Sequence, residues 1–207
     1  MKRKLFTMLC VLAAGTVTAC GASFQVSDST VYITKKGTVI GAAIEDFNEE
    51  YYDEKELETY ISESVDTYVA SNGDGSVELD RFQTKSGEEG TEAQLYLNYA
   101  SYIDYAQFND VALFAGTLEK ALEEGYTFDH KFQKAQEGKL AGSLEAQEFL
   151  EEEGLKAIII GEQIRVKIDG KVRYVSDSGA KLLAEDVVGV QYDREDENAQ
   201  PTCIIYE

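Results

Sequence analysis

The residues able to do chemistry are few in kind. His130 is the only histidine in the chain. Any Ser–His–Asp or Cys–His catalysis would have to use it. Its natural thiol partner is Cys203, in a predicted strand over residues 202–206, where a cysteine behaves as a small buried hydrophobe. His130 itself falls in a basic stretch that reads as an exposed connector, so the two are not expected to meet.

Oxygen ligands are plentiful but poorly spaced. Residues 71–80, Ser-Asn-Gly-Asp-Gly-Ser-Val-Glu-Leu-Asp, resemble part of a calcium loop. If Gly75 is the sixth loop position, Asn72 and Asp74 fall at the third and fifth. Ala70 and Arg81 then occupy the first and twelfth, where carboxylates are required. A helix stop followed by a turn into a strand is the simpler reading. Glu45-Asp46 and Glu49-Glu50 are acidic clusters, as solvated faces often are. Carboxylate-pair hydrolysis needs two such groups about 5–10 Å apart across a cleft. Gly87 to Gly90 lacks a following Lys-Ser/Thr and is a turn, not a phosphate loop. Tyr96, Tyr99, Tyr102, Tyr105 and Phe108 recur every third residue. They could form an aromatic platform, but a period of three suits neither strand nor helix throughout, and core packing is expected.

These residues need elements to hold them. Residues 30–34 and 38–43 read as a hairpin around Lys35-Lys36-Gly37. Asp53, with Glu56 three residues on, opens a helix. Leu57, Tyr60, Ile61, Val65, Tyr68 and Val69 share one of its faces, and Gly73 stops it. Strands are predicted at 76–84 and 91–99. Ser101 and Asp104 cap a short helix through 109; a buried-type strand follows at 111–115 and a short helix at 117–124. Residues 127–142 lack periodicity and read as a connector. Ser143 is expected to cap a helix to Glu153. A β-meander then follows at 156–160, 163–168 and 171–176, with Gly161-Glu162 and Asp169-Gly170 as its turns. Strands at 187–192 and 202–206 complete the set. The expected class is α+β: antiparallel sheets with a few helices and a C-terminal β-meander.

The start of the chain reads as an address. Three basic residues precede a short apolar run, and small residues follow, as in a secretory signal. The run is too short to span a bilayer. Val17-Thr18-Ala19-Cys20 resembles the lipobox of bacterial lipoproteins, with valine where leucine is more usual. That resemblance implies cleavage before Cys20 and a diacylglycerol on its sulfur. Two acyl chains give firm attachment, at about 0.8 kcal/mol per buried methylene. Cys10 would leave with the signal, so Cys203 would have no disulfide partner. The body is similar to small lipoproteins of Gram-positive anaerobes, through a strand hairpin, the acidic Tyr-rich stretch 46–61 and the Lys-Ile-Asp-Gly-Lys-Val-Arg-Tyr-Val-Ser stretch at 167–176. Those proteins carry no assigned active site to transfer.

The expected organisation is a signal peptide over 1–19, a tether over 20–29 of at most about 30 Å, an α+β subdomain over 30–126, the connector 127–142, and a helix-plus-meander subdomain over 143–207. Loss of residues 1–19 leaves 16 Lys and Arg against 39 Asp and Glu, a net charge of −23. Such a body is unsuited to nucleic acid and is repelled by anionic headgroups. Tyrosine and phenylalanine are abundant, so disorder is excluded over most of the length. Tryptophan is absent, which weakens a sugar-platform reading.

The function expected from these readings is a lipid-anchored, extracytoplasmic binding or accessory module of the cell envelope. It is non-enzymatic, needs no cofactor or metal, and faces an envelope protein, a peptide or a wall polymer. The alternative is an envelope hydrolase using a carboxylate pair. A solute-binding subunit is disfavoured, because the chain is short for two lobes and lacks βαβ repetition.

Overall fold

A computed structural model describes residues 24–88 and 90–207. The expected signal peptide, the expected lipidation site Cys20 and residues 20–23 of the expected tether lie outside the described residues. Along the chain, β1 (Thr30–Ile33) and β2 (Val39–Asp46) form the first hairpin, followed by α1 (Glu54–Asn72). Next come β3 (Val77–Gly87), β4 (Gly90–Tyr99), α2 (Tyr102–Asn109), β5 (Ala112–Thr117) and α3 (Leu118–Glu123). The remainder is strands: β6 (Phe132–Gln136), β7 (Lys139–Leu144), β8 (Lys156–Gly161), β9 (Arg165–Ile168), β10 (Val172–Ser176), β11 (Lys181–Ala184), β12 (Val187–Gly189) and β13 (Thr202–Tyr206).

Among the described residues, thirteen strands make two sheets. The first runs β11-β12-β9-β1-β2-β4-β3 and the second β5-β8-β13-β10-β6-β7. Pairings are antiparallel except β1 with β9. The class is mixed α+β, rich in antiparallel sheet. Val31, Ile33, Val166 and Ile168 of the first sheet share one core with Ile158, Ile160, Val175 and Ile204 of the second. The opposite face of the second sheet has its own core. There Ile159 and Ile205 meet Phe114, Phe132 and Phe149 under α3. This explains the unbroken apolar runs in β8 and β13: alternate side chains feed two cores, so both faces are buried.

The helix starts follow local chemistry. The Asp53 carboxylate accepts from the Glu56 N–H at 2.9 Å, and Gly73 ends α1 by donating to the Val69 carbonyl. Ser101 caps α2, and Thr117 caps α3.

Four expectations need correction. Residues 143–153 form no α-helix. Glu137 and Gly138 both adopt positive φ (50° and 75°), a two-residue hairpin turn that joins β6 to β7. Ser143 therefore lies in a strand, and only a 3₁₀ turn at Ala146–Glu148 follows. The connector 127–142 is accordingly built into the second sheet rather than bridging two bodies. Each sheet takes strands from both sides of it, through β1–β9 and β5–β8.

The strands expected at 156–176 exist, but successive ones go to alternate sheets: β8 to the second, β9 to the first, β10 to the second. Gly161-Glu162 and Asp169-Gly170 are corners between sheets, not hairpin turns. Gly170 suits its corner because a Cβ there would collide with the Glu207 carbonyl oxygen.

Residues 24–29, expected to be a free tether, are docked on the body. The Phe24 ring stacks on Tyr32 at 5.3 Å, and the Ser29 hydroxyl donates to the Ile44 carbonyl. Among the described residues, no helix is long and apolar enough to cross a membrane.

Candidate functional site

The first sheet is wider than the second, and α1 and α2 lie over the inner face left uncovered. Three hollows open there. The first surrounds the start of α1. Residues 47–53 are pinned where the Phe47 N–H donates to the Thr91 carbonyl and the Asn48 side-chain oxygen accepts from the Thr91 N–H. This places Phe47 against Tyr52, stacked at 5.0 Å, with Tyr51 edge-on to Tyr52 at 4.9 Å. Tyr51 is 76% exposed and Tyr60 68%. With Glu45, Asp46, Asp53 and Glu56 they line a hollow of about 490 Å³ that holds no lysine or arginine among its described residues. The Tyr52 phenol titrates above its ordinary range, chiefly through its hydrogen bond with Tyr51 and then through that neighbour's charge.

The second hollow, about 620 Å³, is a groove between α1 and α2 floored by Leu95 and Leu97 of β4. Ile61 and Tyr68 form one wall and Phe108 the other. The Tyr68 hydroxyl donates to the Gln107 side-chain oxygen at 3.1 Å, tying the helices together. Tyr60 lines both this groove and the aromatic hollow.

The third hollow is small, about 160 Å³. The Tyr105 hydroxyl donates to Glu162 Oε2 at 2.9 Å there. Asn109 donates to the Tyr99 hydroxyl at 3.1 Å and to the Tyr105 carbonyl at 2.8 Å, fixing both rings. Gly41 makes this packing possible: a Cβ there would sit 3.1 Å from the Tyr99 ring and 3.2 Å from that of Tyr105. Burial raises the Glu162 carboxyl above its usual range; Tyr105 and the more distant Arg194 pull it back only in part. Burial likewise pushes both tyrosines well up. Glu45 lines this hollow and the aromatic one, so the two adjoin.

Other sequence-predicted residues lie elsewhere. Asn72 ends α1, and Asp74 sits in the turn before β3. No group of three or more His, Cys, Asp or Glu side chains able to hold a metal converges among the described residues. His130 is not exposed, as its connector had implied. It stacks on Phe132 at 4.8 Å, its Nε2 is buried with no hydrogen-bond partner, and burial lowers its pKa. Cys203 is buried, and burial alone pushes its thiol up to about 12.

Of the period-three aromatics, Tyr96, Tyr99 and Tyr105 are buried, while Tyr102 and Phe108 pack at the margins of the cores. Reading residue types alone passed over Glu162. Its signal was position: an acid one glycine beyond the fully apolar run 157–160.

No protein-family model, curated protein or solved structure matches this chain.

Proposed function

We propose that this protein is a non-enzymatic binding module of a bacterial cell envelope, held at the outer membrane face by a diacylglycerol on Cys20, and that it captures a cationic partner on the face around the start of α1. The observation that carries the reading is the aromatic hollow. Phe47, Tyr51, Tyr52 and Tyr60 stand together among Glu45, Asp46, Asp53 and Glu56. Solvent-exposed tyrosines in a cluster cost solubility unless a partner covers them. The faces of aromatic rings attract cations, at about 0.5–2 kcal/mol per contact, and nearby carboxylates add to that field. A basic segment of an envelope protein has the matching chemistry, whereas an acidic polymer would be repelled by the chain's net charge.

A carboxylate-pair hydrolase finds less support. The hollow that holds Glu162 and Glu45 is about 160 Å³, below the ~300 Å³ at which small-molecule sites usually begin.

The test is photo-crosslinking in cells, with a benzophenone side chain at Tyr60 in the full-length, membrane-attached protein. One basic envelope protein captured at stoichiometric yield, and lost on Tyr51→Ala, is the expected result. Capture unaffected by Tyr51→Ala, or no capture from Tyr60, would overturn the assignment of this face. The anchor is tested separately by Cys20→Ser, which should release the protein from the membrane.

A further inference from the structure

Glu162 is a partly buried carboxylate on the wall of a cavity, and its direct contact is a neutral hydroxyl. Seven ion pairs occur among the described residues, and Glu162 is in none of them. Buried carboxylates are ordinarily paired, because desolvation penalises the charged form. The Arg194 guanidinium contributes at a distance, and its Nη2 is already engaged with the Asp110 carbonyl. The cavity's volume corresponds to about five waters. That suits one slender side chain and not a drug-sized ligand. Its walls combine a charged end at Glu162 with an apolar flank, Leu95 and Leu97, which also floors the larger groove.

We infer that this cavity is a receptor for a single primary ammonium group on an alkyl stem, with the ammonium against Glu162 and the stem along Leu95 and Leu97. The fit is chemical at both ends. An ammonium supplies the compact charge and donors that Glu162 lacks. A methylene stem replaces water on the leucine and tyrosine walls. A guanidinium is broader and planar, and a quaternary ammonium has no donor for the carboxylate. The proposal deepens the reading of this face as cation-binding and rests on it for the direction of approach. A lysine side chain of a polypeptide and a free alkylamine share this chemistry.

Proton linkage provides a signature. The groups facing Glu162 are Tyr105 from α2, Tyr99 from β4, Glu45 from β2 and Arg194 from the loop after β12. Burial raises the Glu162 carboxyl above 4.5. An ammonium binds its ionised form, so binding should release a proton near that raised pKa. Below it, affinity should fall about tenfold per pH unit; above it, affinity should stay flat until the amine itself deprotonates near ~10.4.

The experiment uses the full-length protein in detergent and n-butylammonium chloride as probe. Binding is read by calorimetry and by the ¹³C-carboxyl shift of Glu162. The expected result is a shift of the Glu162 signal, at least a tenfold weaker fit for Glu162→Gln, and no binding of n-butanol. Equal binding by n-butanol, or equal binding of n-butylammonium to Glu162→Gln, overturns the proposal. If Glu162→Gln does not fold, the wild-type pH profile decides: an affinity flat from pH 4 to 8 overturns it equally.

A lysine-containing tripeptide and spermidine serve as competing arms. Tighter binding of the former assigns the source to a polypeptide, and of the latter to a free amine. Tyr60→Ala leaves this cavity's lining intact. Failure of the aromatic face and failure of the ammonium pocket are therefore read separately.

Discussion

The Tyr105 hydroxyl donates to the Glu162 carboxylate at 2.9 Å, and this bond ties α2 to the corner where the chain leaves the second sheet for the first. Burial opposes the charge on Glu162, so its folded-state pKa lies above the ordinary 4.5. A group raised in this way contributes stability that is full below its unfolded pKa and is lost as pH rises through the folded value. Glu162→Gln keeps an acceptor for Tyr105 without the charge. Its melting temperature should match the wild type near pH 4 and exceed it at pH 8. Tyr105→Phe removes the bond that stabilises the ionised form, so the Glu162 carboxyl should titrate still higher by NMR.

Gly41→Ala should be destabilising although the site is in a strand, where alanine is ordinarily no worse than glycine. The new methyl would press on both the Tyr99 and Tyr105 rings. Overpacking of this kind costs about 1–3 kcal/mol. Urea denaturation should show a lower midpoint with an unchanged slope.

His130 gives one imidazole signal, because the chain has one histidine. Burial beside Phe132 lowers its pKa below 6.5 despite the opposing charge of Asp129. For a depressed histidine, the stability it contributes is present above the unfolded pKa and is lost as pH falls through the folded one. The proton NMR titration should have its midpoint below 6.5. His130→Phe should flatten that part of the stability–pH curve.

Cys203 should resist alkylation in the native state. Its thiol is buried and pushed up to about 12, so almost no thiolate exists at pH 8. Iodoacetamide followed by peptide mass spectrometry should find Cys203 unmodified until denaturant is added. Rapid native labelling would mean that β13 opens locally.

Phe149→Ala tests the smaller core. The ring is fully buried, edge-on to Phe132 at 4.9 Å and stacked on Tyr174 at 4.7 Å. The loss should be about 3–5 kcal/mol, read by chemical denaturation.

Local signals in the sequence were reliable where one residue's chemistry decides an outcome. Asp53, Ser101 and Thr117 announce helix starts because a side-chain oxygen meets an orphan N–H within three residues. Alternation over 93–99 predicts one buried face in β4, yet Gln94 and Tyr96 on the opposite face are buried as well. Pairing was less legible. Asp169-Gly170 resembles a hairpin turn, yet the Lys171 N–H bonds to Glu207, far along the chain. Glu137-Gly138 does not announce a hairpin, because glutamate seldom takes positive φ, and Ser143 resembles a helix cap although it lies in β7.

The same limit applies to the face around α1. Helical spacing puts Tyr60 with Ile61 and Val65, but in the fold it is exposed and stands on the rim shared by the groove and the aromatic hollow. Glu162 acquires meaning only from Tyr105 and Gly41, which the fold brings from distant parts of the chain.

The position of β13 sets a timetable for the chain. It comes last among the described strands, yet it lies between β8 and β10 with all five residues buried. Until residues 202–206 arrive, the second sheet is two fragments with raw inner edges, and β1 must likewise wait for β9. Such long-range closure is slow, on the order of milliseconds to seconds, and leaves sticky intermediates meanwhile. Clipping β13 should abolish the fold rather than shorten it.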